Sequence, residues 1–138
     1  MKKQILFLCT HNSCRSQMAE ALANHFLGDR CQAFSAGTGA TRVNPLAALV
    51  LTELGIDTSL LRSKIMDDFT GQPFDHVVTL CGDANEKCPL FFGGVQRIHQ
   101  GFEDPSRLKG SEEAVLPEFR RVRDEIKNWI MKYFGGNQ

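Results

Sequence analysis

His76-Val77-Val78-Thr79-Leu80-Cys81 is an almost unbroken run of apolar and β-branched residues. A strand with one face in water would alternate polar and apolar positions. This run does not alternate, which is the pattern of strands in a parallel sheet covered on both sides. Parallel neighbours need long, usually helical crossovers, and the remaining sequence supplies them. Ile5 to Cys9 predicts a short apolar strand, and Cys31 to Ala36 a second. Between them, Ser16 to Leu27 predicts a helix with Met18, Leu22 and Leu27 on one side, capped by Ser16 and with Glu20 near its first turn. Asn44-Pro45 opens another helix whose apolar face is Leu46, Leu49, Val50 and Leu54, and Gly55 ends it. Ile56 to Phe69 has no clear pattern. Val95 to His99 reads as a further extended piece. Pro117 to Phe134 predicts a closing helix with Val122, Ile126, Trp129, Ile130 and Tyr133 on its stripe. This order of elements predicts one α/β domain with a parallel sheet, spanning residues 1–138.

At 138 residues such a domain can build a core without staples. Lys plus Arg equals Asp plus Glu at 16 each, so no basic excess points to nucleic acid. No apolar run approaches a membrane span. Lys2-Lys3 precede an apolar stretch, as in an export signal, but Thr10-His11-Asn12 ends it well short of the roughly 7–15 residues such a signal needs. The expected location is therefore the cytoplasm. A reducing cytosol does not use disulfides as staples, so Cys9, Cys14, Cys31, Cys81 and Cys88 need another explanation. Five is an odd number, no C-x-x-C pair occurs and the histidines are scattered, so no metal site is expected.

Ligands of parallel α/β sheets bind beyond the carboxyl ends of strands. Cys9 and Cys81 both fall at such ends and can meet there. The loop from Cys9 to Ser16 (Cys-Thr-His-Asn-Ser-Cys-Arg-Ser) joins a strand to a helix. A loop so placed can turn the backbone N–H groups of Thr10, His11, Asn12, Ser13 and Cys14 inward, and the helix start adds partial positive charge. Arg15 adds a fork of donors matched to two oxygens of a tetrahedral oxyanion. Cys9 is then presented as a nucleophilic thiolate, with Ser16 donating to it and Asn12 fixing a left-handed turn. The plain alternative is a buried strand-end cysteine. Asp104-Pro105 carries a carboxyl on a stiffened loop, where it can protonate a leaving oxygen or simply make a turn. Cys14 is expected to be structural with its side chain turned from the ligand, Cys31 to be core, and His11 to border the entrance.

These residues resemble the low-molecular-weight protein tyrosine phosphatase superfamily, and in particular its thioredoxin-coupled arsenate reductases. The resemblance runs from Cys9-Thr10-His11-Asn12-Ser13-Cys14-Arg15-Ser16-Gln17-Met18-Ala19-Glu20 through Ser35-Ala36-Gly37 and Val43-Asn44-Pro45. It continues through Val77 to Ala84, Cys88-Pro89, Gly101-Phe102-Glu103-Asp104-Pro105 and Phe119 to Ile126. It implies a single three-layer α/β/α domain around a central four-stranded parallel sheet. It also implies arsenate as substrate, with phosphate or sulfate as competitors, and Asp104 as the general acid when Cys9 attacks. Cys81 would then form Cys9–Cys81, Cys88 would form Cys81–Cys88, and thioredoxin would reduce the product. A glutaredoxin is the alternative donor on the same scaffold.

Some relatives hold potassium through positions matching Asn12, Glu20, Ser35 and a later carboxylate. Lys64 stands at that last position, so its ammonium is expected to reach Glu20 and no potassium or other bound cofactor is expected. A monomer is expected. Two rivals remain. A phosphotyrosine phosphatase would usually carry Pro at Gln17 and aromatic residues after Asp104-Pro105, where Ser106-Arg107 stands. A non-catalytic thiol switch or metal-binding regulator would use Cys81 and Cys88, but leaves Arg15, Ser16 and Asp104 unexplained.

Overall fold

The computed structural model of the chain describes residues 2–81 and 94–135. Four strands, β1 (Lys3–Leu8), β2 (Cys31–Ala36), β3 (Phe74–Cys81) and β4 (Gly94–Phe102), form one sheet in the order β2-β1-β3-β4. Every pairing is parallel, with Leu8 opposite both Ala36 and Thr79. The unalternating run in β3 has the predicted cause. Val78 and Leu80 enter a core with helices α1 (Arg15–Phe26), α2 (Pro45–Thr52) and α3 (Glu112–Phe134), while Val77 enters a second core on the opposite face. That second core packs Leu6, Leu8, Phe34 and Phe74 against Phe69 of the 3-10 turn Met66–Phe69. Ile5 to Leu8 are fully enclosed between the two.

Several local expectations need correction. Arg15 is the first residue of α1 and Cys14 occupies its cap position without a side-chain bond, so Ser16 does not cap the helix. Buried inside the first turn, Ser16 spends its hydroxyl on Cys9 and Asn12 instead. Helix α2 starts as predicted, with Asn44 accepting from the N–H groups of Leu46 and Ala47. Its buried face is Ala47, Val50 and Leu51, whereas Leu49 is exposed. Helix α3 begins five residues before Pro117, because Ser111 caps it through the N–H of Ala114 and Glu112 and Glu113 fill its first turn. A proline this near the start removes one hydrogen bond without stopping the helix. Tyr133 lies outside the buried stripe and stacks on Trp129, while Val115 and Phe119 extend that stripe toward the helix start.

The patternless stretch after Gly55 crosses the end of β2. Gly37 and Ile65 form an isolated parallel bridge, with Gly37 N–H donating to Lys64 O and Met66 N–H to Gly37 O. This places residues 62–65 beside the Cys9 loop. Cys88, Pro89 and the intervening Gly82-Asp83-Ala84-Asn85-Glu86-Lys87 lie outside the described residues. No helix among the described residues is long and apolar enough to cross a membrane.

Candidate active site

The loop after β1 folds around Asn12, which sits in the left-handed region at φ 50° and is completely buried. Asparagine tolerates this backbone better than most side chains. Its Nδ2 donates to Ser16 Oγ at 2.7 Å. Its Oδ1 accepts from Lys64 N at 2.7 Å and from Gln17 Nε2 at 2.9 Å. Gln17 Nε2 also reaches Asn12 O and Arg62 O, at 3.0 and 2.7 Å. The loop is thereby fastened both to its own helix and to the 62–64 segment. Ser63 Oγ adds a bond to His11 O, and Asn44 N–H one to Ser13 O. Gly37 closes the far side. A Cβ there would come within 2.5 Å of Thr10 O, 2.8 Å of Asn12 N and 2.9 Å of Cys9 O, so only glycine allows β2 to leave so close to the loop.

Cys9 Sγ lies 2.8 Å from Ser16 Oγ and is almost fully enclosed. A hydroxyl at that distance can donate to a thiolate or to a departing sulfur. Arg15 is 2% exposed. Its Nη1 donates to Phe102 O at 3.2 Å and Leu80 O at 3.4 Å, the carbonyls at the ends of β4 and β3. Its Nη2 stands 3.6 Å from Asp104 Oδ2. The expected two-pronged fork is thus half committed to the sheet. Asp104 caps the short turn Pro105–Arg107.

Cys9, His11, Ser13, Cys14, Arg15, Asp104 and Ser106 line one small depression. Thr10, Asn12 and Ser16 are not among its lining residues: Thr10 O accepts from Thr38 N–H, and the other two brace the loop from beneath. Cys14, expected to turn away, contributes to the wall. Burial, then the nearby Asp104 and Cys9 charges, push its thiol up, and Arg15 only partly opposes them. Cys31 is buried in β2 as expected. Cys81 ends β3, the strand next to β1, and is buried at the same carboxyl end of the strands as Cys9. Cys9, Cys14, Cys31 and Cys81 are all thiols.

Beside the loop, Glu20 accepts from Ser35 Oγ and pairs with Lys64 Nζ at 3.3 Å, and Nζ also donates to Arg62 O at 2.8 Å. Glu20, Ser35 and Lys64 therefore form one network that meets Asn12 through the Lys64 backbone. Among the described residues no group of three or more His, Cys, Asp or Glu is arranged to hold a metal ion. Two site residues do not stand out in the sequence. Gln17 is marked there only as a non-proline, and its clamp depends on Arg62, far away in the chain. Ser106 bonds Asp104, and the Asp-Pro-Ser order was the available signal.

A family model described as "Low molecular weight phosphotyrosine protein phosphatase" matches residues 4–136. A protein named "Arsenate reductase" from Bacillus subtilis is 50% identical over 131 residues, covering 95% of this chain and 94% of that protein. Another so named, from Bacillus licheniformis, is 48% identical over 132 residues, covering 96% and 95%. Among solved structures, "An arsenate reductase in the phosphate binding state" superposes with a TM-score of 0.80 at 32% identity, covering 96% of this chain and 97% of that one. A Corynebacterium glutamicum thioredoxin-dependent arsenate reductase gives 0.63 at 30% identity, covering 94% of this chain and 62% of that one.

Proposed function

The chain belongs to the low molecular weight phosphotyrosine protein phosphatase family, and from that membership and the chemistry around Cys9 we propose that it reduces arsenate to arsenite in the cytoplasm. The observation that carries this reading is the placement of two thiols, Cys9 and Cys81, at the same ends of adjacent parallel strands, with Arg15 bonded to the carbonyl of Leu80, the residue before Cys81. Hydrolysis needs one thiolate. Reduction needs two electrons, which two thiols becoming a disulfide provide. The relatives named arsenate reductases support the same choice.

In the first step Cys9 attacks arsenic(V) in the oxyanion site while Asp104 protonates a departing oxygen, which leaves as water. Cys81 then attacks Cys9 Sγ. The sulfur–arsenic bond breaks with its electron pair left on arsenic, and arsenite departs from a Cys9–Cys81 disulfide. Cys88 attacks Cys81, frees Cys9 as thiolate and leaves Cys81–Cys88 for reduction by a dithiol donor. Thioredoxin is the proposed donor, supported by the thioredoxin-dependent relative. Phosphate and sulfate, of similar shape, compete for the cradle. The same Cys9, Arg15 and Asp104 would give weak phosphomonoester hydrolysis. No bound cofactor is required, and the Lys64 ammonium against Glu20 supplies a cation beside the loop. Turnover is therefore expected to differ less than about twofold between potassium and sodium at constant ionic strength; a several-fold rise with potassium would contradict it.

The deciding assay follows NADPH consumption with arsenate, thioredoxin and thioredoxin reductase. Wild type turns over, and Cys9→Ser, Cys81→Ser and Cys88→Ser each abolish multiple turnover. Cys88→Ser retains one equivalent of arsenite, because the first disulfide still forms. Undiminished cycling in Cys81→Ser sinks the relay.

A further inference from the structure

The two oxygens of Asp104 have different surroundings. Oδ1 accepts twice from Ser106, from the backbone N–H at 3.0 Å and from Oγ at 2.6 Å. Oδ2 has Arg15 Nη2 at 3.6 Å. Both residues line the depression that contains Cys9, and the buried Pro105 between them fixes the turn. Resting on the reading of Asp104 as the acid, we propose that Ser106 is a positioning residue for proton delivery. Its two donors hold Oδ1, so that Oδ2 carries the proton and hands it to the leaving oxygen.

The chemistry follows from the inventory of lone pairs. In a carboxylic acid one oxygen bears the hydrogen, and an oxygen already accepting two donors is the poorer place for it. As Cys9 forms its bond to arsenic, the arsenic–oxygen bond breaks and the proton passes from Asp104 Oδ2 to the departing hydroxyl. Water leaves, arsenic stays at oxidation state five and Asp104 becomes a carboxylate. Negative charge therefore grows on Asp104 along this step, where the Ser106 donors already stand oriented. An interaction that strengthens only as the reaction proceeds raises rate without tightening substrate binding. Ser106 acts on Asp104 Oδ1 through both its donors, so its effect passes through that carboxyl.

The test is a single turnover of the reduced full-length enzyme with arsenate, without thioredoxin, following thiol loss. Ser106→Ala should slow the step about 3- to 30-fold, less than loss of a buried oxyanion donor because the site is open and the backbone donor remains. The arsenate concentration at half-maximal rate should change less than about twofold. Ser106→Thr, which keeps the hydroxyl, should recover most of the rate. Asp104→Asn should cost about 100-fold or more, and adding Ser106→Ala to it should cost nothing further. An unchanged rate in Ser106→Ala beside a collapsed Asp104→Asn overturns the positioning role and leaves the acid intact. A normal rate in Asp104→Asn overturns both. An equal loss in Ser106→Thr, or a second full loss in the double variant, also overturns the proposal.

Discussion

Asn12 combines a left-handed backbone with a side chain whose donor and acceptor atoms all face protein partners. Asn12→Ala would strain the left-handed backbone, leave the buried N–H of Lys64 without its acceptor and take from Ser16 Oγ its Asn12 donor. The expected cost is about 3 kcal/mol, read as a lower Tm together with loss of turnover. Asn12→Gly relieves the strain alone, so it should restore part of the stability and little of the activity. Cys14 offers a contrast. Its thiol is pushed up by burial and by Asp104, so it stays protonated at neutral pH. Iodoacetamide should modify Cys14 slowly at pH 7 and faster only in strongly alkaline solution, which peptide mapping can follow. The sequence revealed Cys9, Arg15 and Ser16 because they share one short loop. Gln17 and Ser106 are not legible there because their work depends on Arg62 and on the turn at Asp104, which only the folded chain defines.

Elements with their own periodicity were legible. Strand β2 has its predicted limits, and α2 begins behind Asn44-Pro45 as expected. The 56–69 stretch was not legible, because it is held by bonds to Gly37, Asn12 and Gln17 rather than by a repeat of its own. Helix α3 was cut short for a different reason: proline at its sixth position looks like a beginning. Pro117 lacks the N–H that would bond Glu113 O. Pro117→Ala should therefore raise stability by about 1–3 kcal/mol, seen as a higher Tm at unchanged activity. A lower Tm would mean that the ring's contacts matter more than the missing bond.

Across the whole molecule, the helices share Glu53 as the sheet ends share Arg15. Glu53, just past α2, bonds Arg120 and Arg123 of α3, and Arg123 also reaches Val50 O. The Arg120 hydrogen bond, followed by Arg123, holds the Glu53 carboxyl below its ordinary value. A carboxyl depressed in the fold stabilises above its unfolded value of about 4.3, and that stability is lost as pH falls through the lower folded value. Because the pair is partly exposed the contribution should be less than about 1 kcal/mol. Glu53→Gln should thus melt slightly below wild type at pH 7, and the gap should narrow as pH falls below the unfolded value of about 4.3. The parallel sheet was legible from the unalternating run in β3 together with the alternation of strands and helices, whereas this junction was not, since it joins side chains 67 and 70 positions apart.

Gly37 has a consequence for heredity. The space a Cβ would need is filled by Thr10 O, Asn12 N and Cys9 O, backbone atoms that no neighbouring substitution can trim away. In a library carrying every residue at position 37 and selected for survival on arsenate, glycine alone should persist. That one position has no neutral amino-acid neighbours through which a lineage could drift.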